Sequence, residues 1–304
     1  MPDKAHSSSG AVHAATATPT APPTTPVSMS KTQRALRDVE ASNFNLASKN
    51  LLDHVCWMQA SNGIDVLVEK NDGADDDEAQ VEAHLLCVCK IDSQECWFFI
   101  DGAWNSANGD FHKTKARSLI THGSHRDIVP TWETVTTNLT RLQESAKAGS
   151  PGTDFYTTVT TDRRVRVRHQ IFIEKKDGEE EPENGDYPME SWVCRNPTAQ
   201  AELQRLILAG THYGQVLPAY DADNKLIDPA QYQSKLRGAV VKITVAMSHQ
   251  FFVSAKKHNW YLDIRRIKVI NEPLPMPKSP SKRRATDNID GGRKTKKSAT
   301  TGRD

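Results

Sequence analysis

The sequence predicts a mainly β fold with a few helices (α+β), one domain over residues 31–275 between unfolded ends. Three observations predict it. Ala239, Val241, Ile243, Val245 and Met247 share one parity, and Val240, Lys242, Thr244, Ala246 and Ser248 the other. That alternation marks a strand with one buried face. A second run, Trp260–Ile270, puts Leu262 and Ile264 on one parity, then Ile267 and Val269 on the other. One extra residue near Arg265–Arg266 reconciles them, which predicts a β-bulge. Bulged, curling strands suit a small barrel, with an open β-rich sheet as the alternative. Thirdly, residues 1–30 are rich in Ala, Thr, Pro and Ser and almost free of bulky apolar side chains. Such a segment buries too little surface to offset its ordering entropy and is expected to be disordered.

From Lys31 the composition changes. Ala35, Leu36 and Val39 predict a short helix capped by Ser30. Leu51–Gln59 and Ile64–Lys70 flank an Asn62-Gly63 step, a strong hairpin signal. The acidic run Asp75–Glu78 reads as a solvated loop, because it lacks the ligand spacing of a Ca²⁺ site. Glu82–Ile91 and Glu95–Asp101 predict a second hairpin around Asp92-Ser93-Gln94, holding Trp97, Phe98 and Phe99 in the core. Its thiols Cys87, Cys89 and Cys96 lack the second ligand pair of a usual zinc site, so buried thiols are favoured over metal. No metal or other cofactor is expected.

Residues 105–123 read as a long polar loop carrying Lys113, Lys115 and Arg117. His112, His122 and His125 lie there, read as surface histidines rather than ligands. Residues 130–149 predict a helix on the spacing of Val135, Leu139, Leu142 and Ala146, capped by Thr131. Met189–Arg195 reads as a short strand, and Asn196-Pro197 opens a further helix that stops at Gly210.

The run Leu217-Pro218-Ala219-Tyr220-Asp221, with Leu236–Val241 and Ile267–Ile270, resembles a family of uncharacterised fungal proteins, a resemblance that implies no activity. More loosely, Gly238–Ile243 followed by a closing basic strand looks like the end of OB-fold single-strand-binding proteins. That likeness implies an OB-like barrel.

Residues 157–174 carry the sharpest site signal. Val165, Val167, His169, Ile171 and Ile173 share one parity; Arg164, Arg166, Arg168, Gln170 and Phe172 share the other. Three arginines and an aromatic on one strand face suit phosphates and a stacked base. The expected nucleic-acid-binding set is Arg164, Arg166, Arg168, Phe172, Lys242, Tyr261, Arg265, Arg266 and Lys268, with single-stranded DNA or RNA as partner. The competing readings are ion pairs between these arginines and the acidic stretch Asp177–Asp186, or a protein-interaction module using the Arg face or the acidic loops.

Residues 278–304 hold nine basic against three acidic side chains, a surplus of +6; with +1 on the whole chain, the remainder carries −5. The basic tail, 276–304, is therefore an arm for acidic partners. Lys282, Arg283 and Arg284, then Arg293, Lys294, Lys296 and Lys297, resemble a bipartite nuclear localisation signal, so a nuclear import receptor and a nuclear location are expected. Ser279-Pro280 resembles a proline-directed kinase site beside it.

No membrane partner is expected, because no apolar run approaches the ~18 residues of a spanning helix and mean hydropathy is −0.62. Five cysteines without a secretory leader are read as reduced thiols. No phosphate-loop, dinucleotide, zinc-protease or nucleophile-elbow motif occurs, so no enzyme is expected; His169, or His249 with His258, are the side chains that could act as a base.

Overall fold

The computed structural model describes residues 28–60, 63–70, 80–147, 152–178, 180–182 and 184–274. The segment 1–27, the Asp75–Glu78 run, Gly149 and the whole basic tail with its import-signal residues lie outside them.

The elements are α1 (Lys31–Glu40), β1 (Val55–Gln59), β2 (Ile64–Glu69), β3 (Leu85–Trp97), β4 (Lys115–Thr121), α2 (Val129–Ala146), β5 (Thr153–Tyr156), β6 (Val165–Gln170), β7 (Phe172–Glu174), α3 (Pro197–Ala209), β8 (His212–Gly214), β9 (Ala219–Tyr220), α4 (Tyr232–Leu236), β10 (Val240–Phe252) and β11 (Lys257–Asn271). The protein is mainly β, with a mixed sheet and a separate two-stranded pair, β7–β8.

The alternation seen at Ala239–Met247 builds β10. Val241, Ile243, Val245 and Met247 are buried, and so are Leu262, Ile264, Ile267 and Val269 on β11. The bulge lies where the parity switch puts it: Thr244 pairs with Arg266 while Val245 pairs with Ile264, leaving Arg265 as the extra residue. Both arginines consequently point outward on consecutive positions.

Pairings among five strands run in a circuit. β3 pairs antiparallel with β4, β4 with β6, β10 with β3 and β11 with β10. β6 pairs with β11 in parallel at a single position, Arg168 opposite Asp263. Inward side chains from all five meet in one core: Cys87, Cys89 and Ile91; Ala116, Ser118 and Ile120; Val165, Val167 and His169; and the aliphatic rows of β10 and β11. The β1–β2 hairpin, with Gln59 opposite Asp65, extends the sheet through β10. α1 starts with a reciprocal capping box between Ser30 and Gln33. α3 is capped by Asn196 and ends on Gly210 at φ +62°, where a side chain would be strained.

Several sequence expectations are corrected. Residues 82–101 do not fold back as a hairpin. One 13-residue strand bends where the Asp92 carboxylate accepts the amides of Gln94 and Glu95, and both halves pair with β4. The stretch 105–123 is not wholly loop, because 115–121 form β4; its inward residues Ala116 and Ser118 are too small to give a strong apolar period. Met189–Ser191 is a 3₁₀ turn rather than strand. α2 begins two residues before Thr131, with no side-chain cap. Residues 157–164 precede the Arg-bearing strand rather than belonging to it.

Candidate nucleic-acid interface

The outer faces of β4 and β6 follow from the same alternation that fills the core. With Ala116, Ser118 and Ile120 inward, Lys115, Arg117 and Leu119 point out; with Val165, Val167 and His169 inward, Arg166 and Arg168 point out. The register then sets a row across four strands: Trp97 opposite Arg117, Arg117 opposite Arg168, Arg168 opposite Asp263. Beside it, Leu119 faces Arg166.

A groove of about 520 Å³ runs along this face, lined by Trp97, Arg117, Leu119, Tyr156, Arg164 and Arg166 among others. Trp97 was expected in the core; it is instead 36% exposed, its indole N–H donating to Glu95. Its neighbours Cys96 and Phe98 take the inward positions. Arg117 is exposed and, among the described residues, makes no ion pair or hydrogen bond through its side chain. The sequence pattern alone assigns Trp97 to the core and Arg117 to a polar loop. Their signal is the small-residue period of β4, which becomes visible only once its register with β3 is known.

The predicted arginines are on this face but unequally free. Arg168 donates two hydrogen bonds to Asp263, at 2.7 and 3.2 Å, and lies 3.5 Å above the Tyr261 ring. Arg164 reaches Asp162 at 2.7 Å and Asp92 at 3.3 Å. Against burial, the Glu95 and Gln94 amides and then Arg164 hold the Asp92 carboxyl below its ordinary range, and the Thr160 hydroxyl followed by Arg164 does the same for Asp162. Arg166 donates to the Thr157 carbonyl at 2.8 Å and sits over Tyr156. Among the described residues, the counter-ions of Arg164 and Arg168 are thus Asp92, Asp162 and Asp263. Lys115 borders the row, its pKa lowered by burial and by the neighbouring Arg168.

Phe172 is a correction. The chain leaves β6 at Gln170, Ile171 and Phe172 are both buried, and Phe172 packs between Phe111 and Trp192 at 1% exposure. No base can stack on it in this conformation. Tyr261 remains half-exposed, 5.8 Å from Tyr156. Arg265 is clamped by Glu82 in two hydrogen bonds, and Arg266 lies over Tyr220. Lys242 and Lys268 face each other across β10 and β11, in a different groove.

The remaining reactive side chains lie elsewhere. Cys87, Cys89 and Cys96 are buried free thiols, and no group of three metal-binding side chains gathers among the described residues. His112 packs against His212 and His122 against Trp132. His249 is buried, with Nδ1 2.8 Å from Asp65 and Nε2 2.9 Å from His258. No helix among the described residues is long and apolar enough to cross a membrane.

Neither a protein-family model nor a curated protein sequence matches the chain, so the resemblance to fungal proteins has no support there. Among solved structures, the crystal structure of gp2.5, a single-stranded DNA binding protein encoded by bacteriophage T7, aligns with 69% of this chain and 98% of that one. The identity is 7% and the TM-score 0.31, a level at which the likeness carries no argument about this chain.

Proposed function

We propose that the protein binds single-stranded nucleic acid, without catalysis, along the outer face of β4 and β6. The observation that carries this reading is the groove itself: an exposed indole from β3, a tyrosine from β5 and a β4 arginine without a side-chain partner among the described residues line it together. Aromatic rings stack bases of any sequence, and guanidinium groups take the phosphates between them. The position of the groove supports the same reading. Numbered by appearance, the five circuit strands are ordered 1-2-3-5-4-1, with strands 3 and 5 parallel and α3 between strands 3 and 4. That is the strand order of an OB-type barrel, whose oligonucleotide face is strands 2 and 3. In this reading β4 and β6 are those strands.

The bound set is Trp97, Arg117, Tyr156, Arg166 and Tyr261, with Arg164 and Arg168 contributing after exchanging a carboxylate for a phosphate. The basic tail adds sequence-independent phosphate contacts and serves as a nuclear import signal. The pairing of Arg164 and Arg168 with Asp92, Asp162 and Asp263 favours one alternative, a face that docks a nuclear protein.

A salt-titrated comparison of single-stranded DNA, single-stranded RNA and duplex, using the full chain and Arg117→Ala/Arg166→Ala, tests the proposal. Preference for single strands that falls in the variant, with the log–log salt slope flatter by about 1.4, supports it. Equal binding of single strand and duplex, unchanged by the substitutions, would leave the protein-docking alternative.

A further inference from the structure

A second groove, of about 450 Å³, opens between α1 and the outer face of β10–β11. Lys242 and Lys268 sit in it as direct cross-strand partners on the solvent side of the sheet. Like charges directly opposite each other destabilise an antiparallel pair. α1 adds Lys31 and Arg34 to the same lining, against Asp38 and Asp223. Among the described residues, none of the four cations has an ion-pair or hydrogen-bond partner for its side chain. The contrast with the neighbouring surface is sharp, since Arg265, three residues from Lys268, is clamped by Glu82. No aromatic side chain lines this groove, so it offers charge without a stacking platform.

From this we infer that the α1/β10/β11 groove is a second nucleic-acid contact, one that grips the phosphate backbone and is blind to the bases. The inference rests on the nucleic-acid reading for its ligand class. Two features favour a phosphate backbone over an acidic peptide. Outward positions along β11 connect Tyr261, beside the β4/β6 face, to Lys268, ~20 Å away at a strand's rise per residue, so one extended polyanion can reach both. At the other end, Asn271 donates to Thr32 of α1, and the nine basic side chains of the tail follow within the next 33 residues. Because phosphates are alike in single strands and duplex, this groove contributes to both.

The test uses the full chain with labelled oligothymidine, the same length of duplex, and a poly-glutamate peptide as competitor. Lys242→Gln/Lys268→Gln should flatten the log–log salt slope by about 1.4 on single strands and about 1.8 on duplex, with affinity down about tenfold at low salt. Lys31→Gln/Arg34→Gln, which leaves the sheet untouched, should do the same and guards against a folding defect. Trp97→Ala should leave these slopes alone, so loss of the base-stacking reading and loss of this one are separable. Slopes unchanged in both groove variants would overturn the inference. So would poly-glutamate that competes with both oligonucleotides in wild type as well as either one competes with the other.

Discussion

Arg168 and Asp263 join through two hydrogen bonds, at 2.7 and 3.2 Å, at the single position where β6 and β11 pair. The pair ties β6 to β11 and neutralises the central arginine of the candidate interface at the same time. Both side chains are about a quarter exposed, so the contact is worth more than a surface ion pair. Asp263→Asn should therefore lower stability by on the order of 1–2 kcal/mol, read from urea unfolding. The same substitution frees Arg168, so single-strand affinity should rise and the salt slope steepen by about 0.7. A stability loss without any gain in binding would mean that Arg168 serves the fold alone.

Acid should weaken the fold before its carboxylates titrate. Burial pushes His169, whose Nε2 lies 3.2 Å from the Gln215 carbonyl, down to about 4. In the unfolded chain its pKa is about 6.5, so between these values the unfolded state binds the extra proton. Its stabilising contribution is complete above pH 6.5 and drains away as pH falls toward 4, by on the order of 3 kcal/mol. Against burial, Arg265 holds Glu82 low, and the Glu95 and Gln94 amides with Arg164 hold Asp92 low, so these two lose theirs only below about pH 4.5. Unfolding measured at pH 7.5 and pH 5 should show the loss, and His169→Gln should abolish most of that difference.

The thiols should divide into one accessible and four protected. Burial raises Cys89 and Cys96, and takes Cys194 up to about 12. Cys56 alone among the five is only half-buried. A disulfide reagent at pH 8 should label Cys56 first and the others only with denaturant; Cys87 or Cys89 reacting at the same rate would contradict the packing.

Much of this was written in the sequence, and the omissions share a cause. The β10–β11 hairpin and its bulge are legible because Val241–Met247 and Leu262–Val269 carry bulky residues on strict parities. α1 and α3 are legible from Ser30, Asn196 and Gly210, whose capping roles are local. β4 was not, since Ala116 and Ser118 fill the inward positions. With β4 unread, Arg117 had no face, and Trp97 looked like core. Phe172 failed for a related reason: two consecutive buried residues, Ile171 and Phe172, break the parity that placed it beside the arginines. The ion-pair partners Asp92 and Asp263 lie 72 and 95 residues away from Arg164 and Arg168, beyond any local pattern.

The tail makes an independent claim. Lys294→Ala/Lys296→Ala/Lys297→Ala should move a tagged protein from nucleus to cytoplasm. A chain of 33.8 kDa can diffuse through nuclear pores, so the tag should be large enough to prevent passive entry. A large fusion that stays nuclear despite the substitutions would remove the import role.

The most direct test of the central claim is the effect of Trp97→Ala on the affinities for single strand and duplex, measured across a salt series on the full chain. If bases stack in the β4/β6 groove, the substitution costs on the order of 1–3 kcal/mol on single strands and leaves the salt slope unchanged. Duplex binding, carried by phosphate contacts, stays as in wild type. Equal losses on both ligands, or none on either, would contradict base recognition at this face.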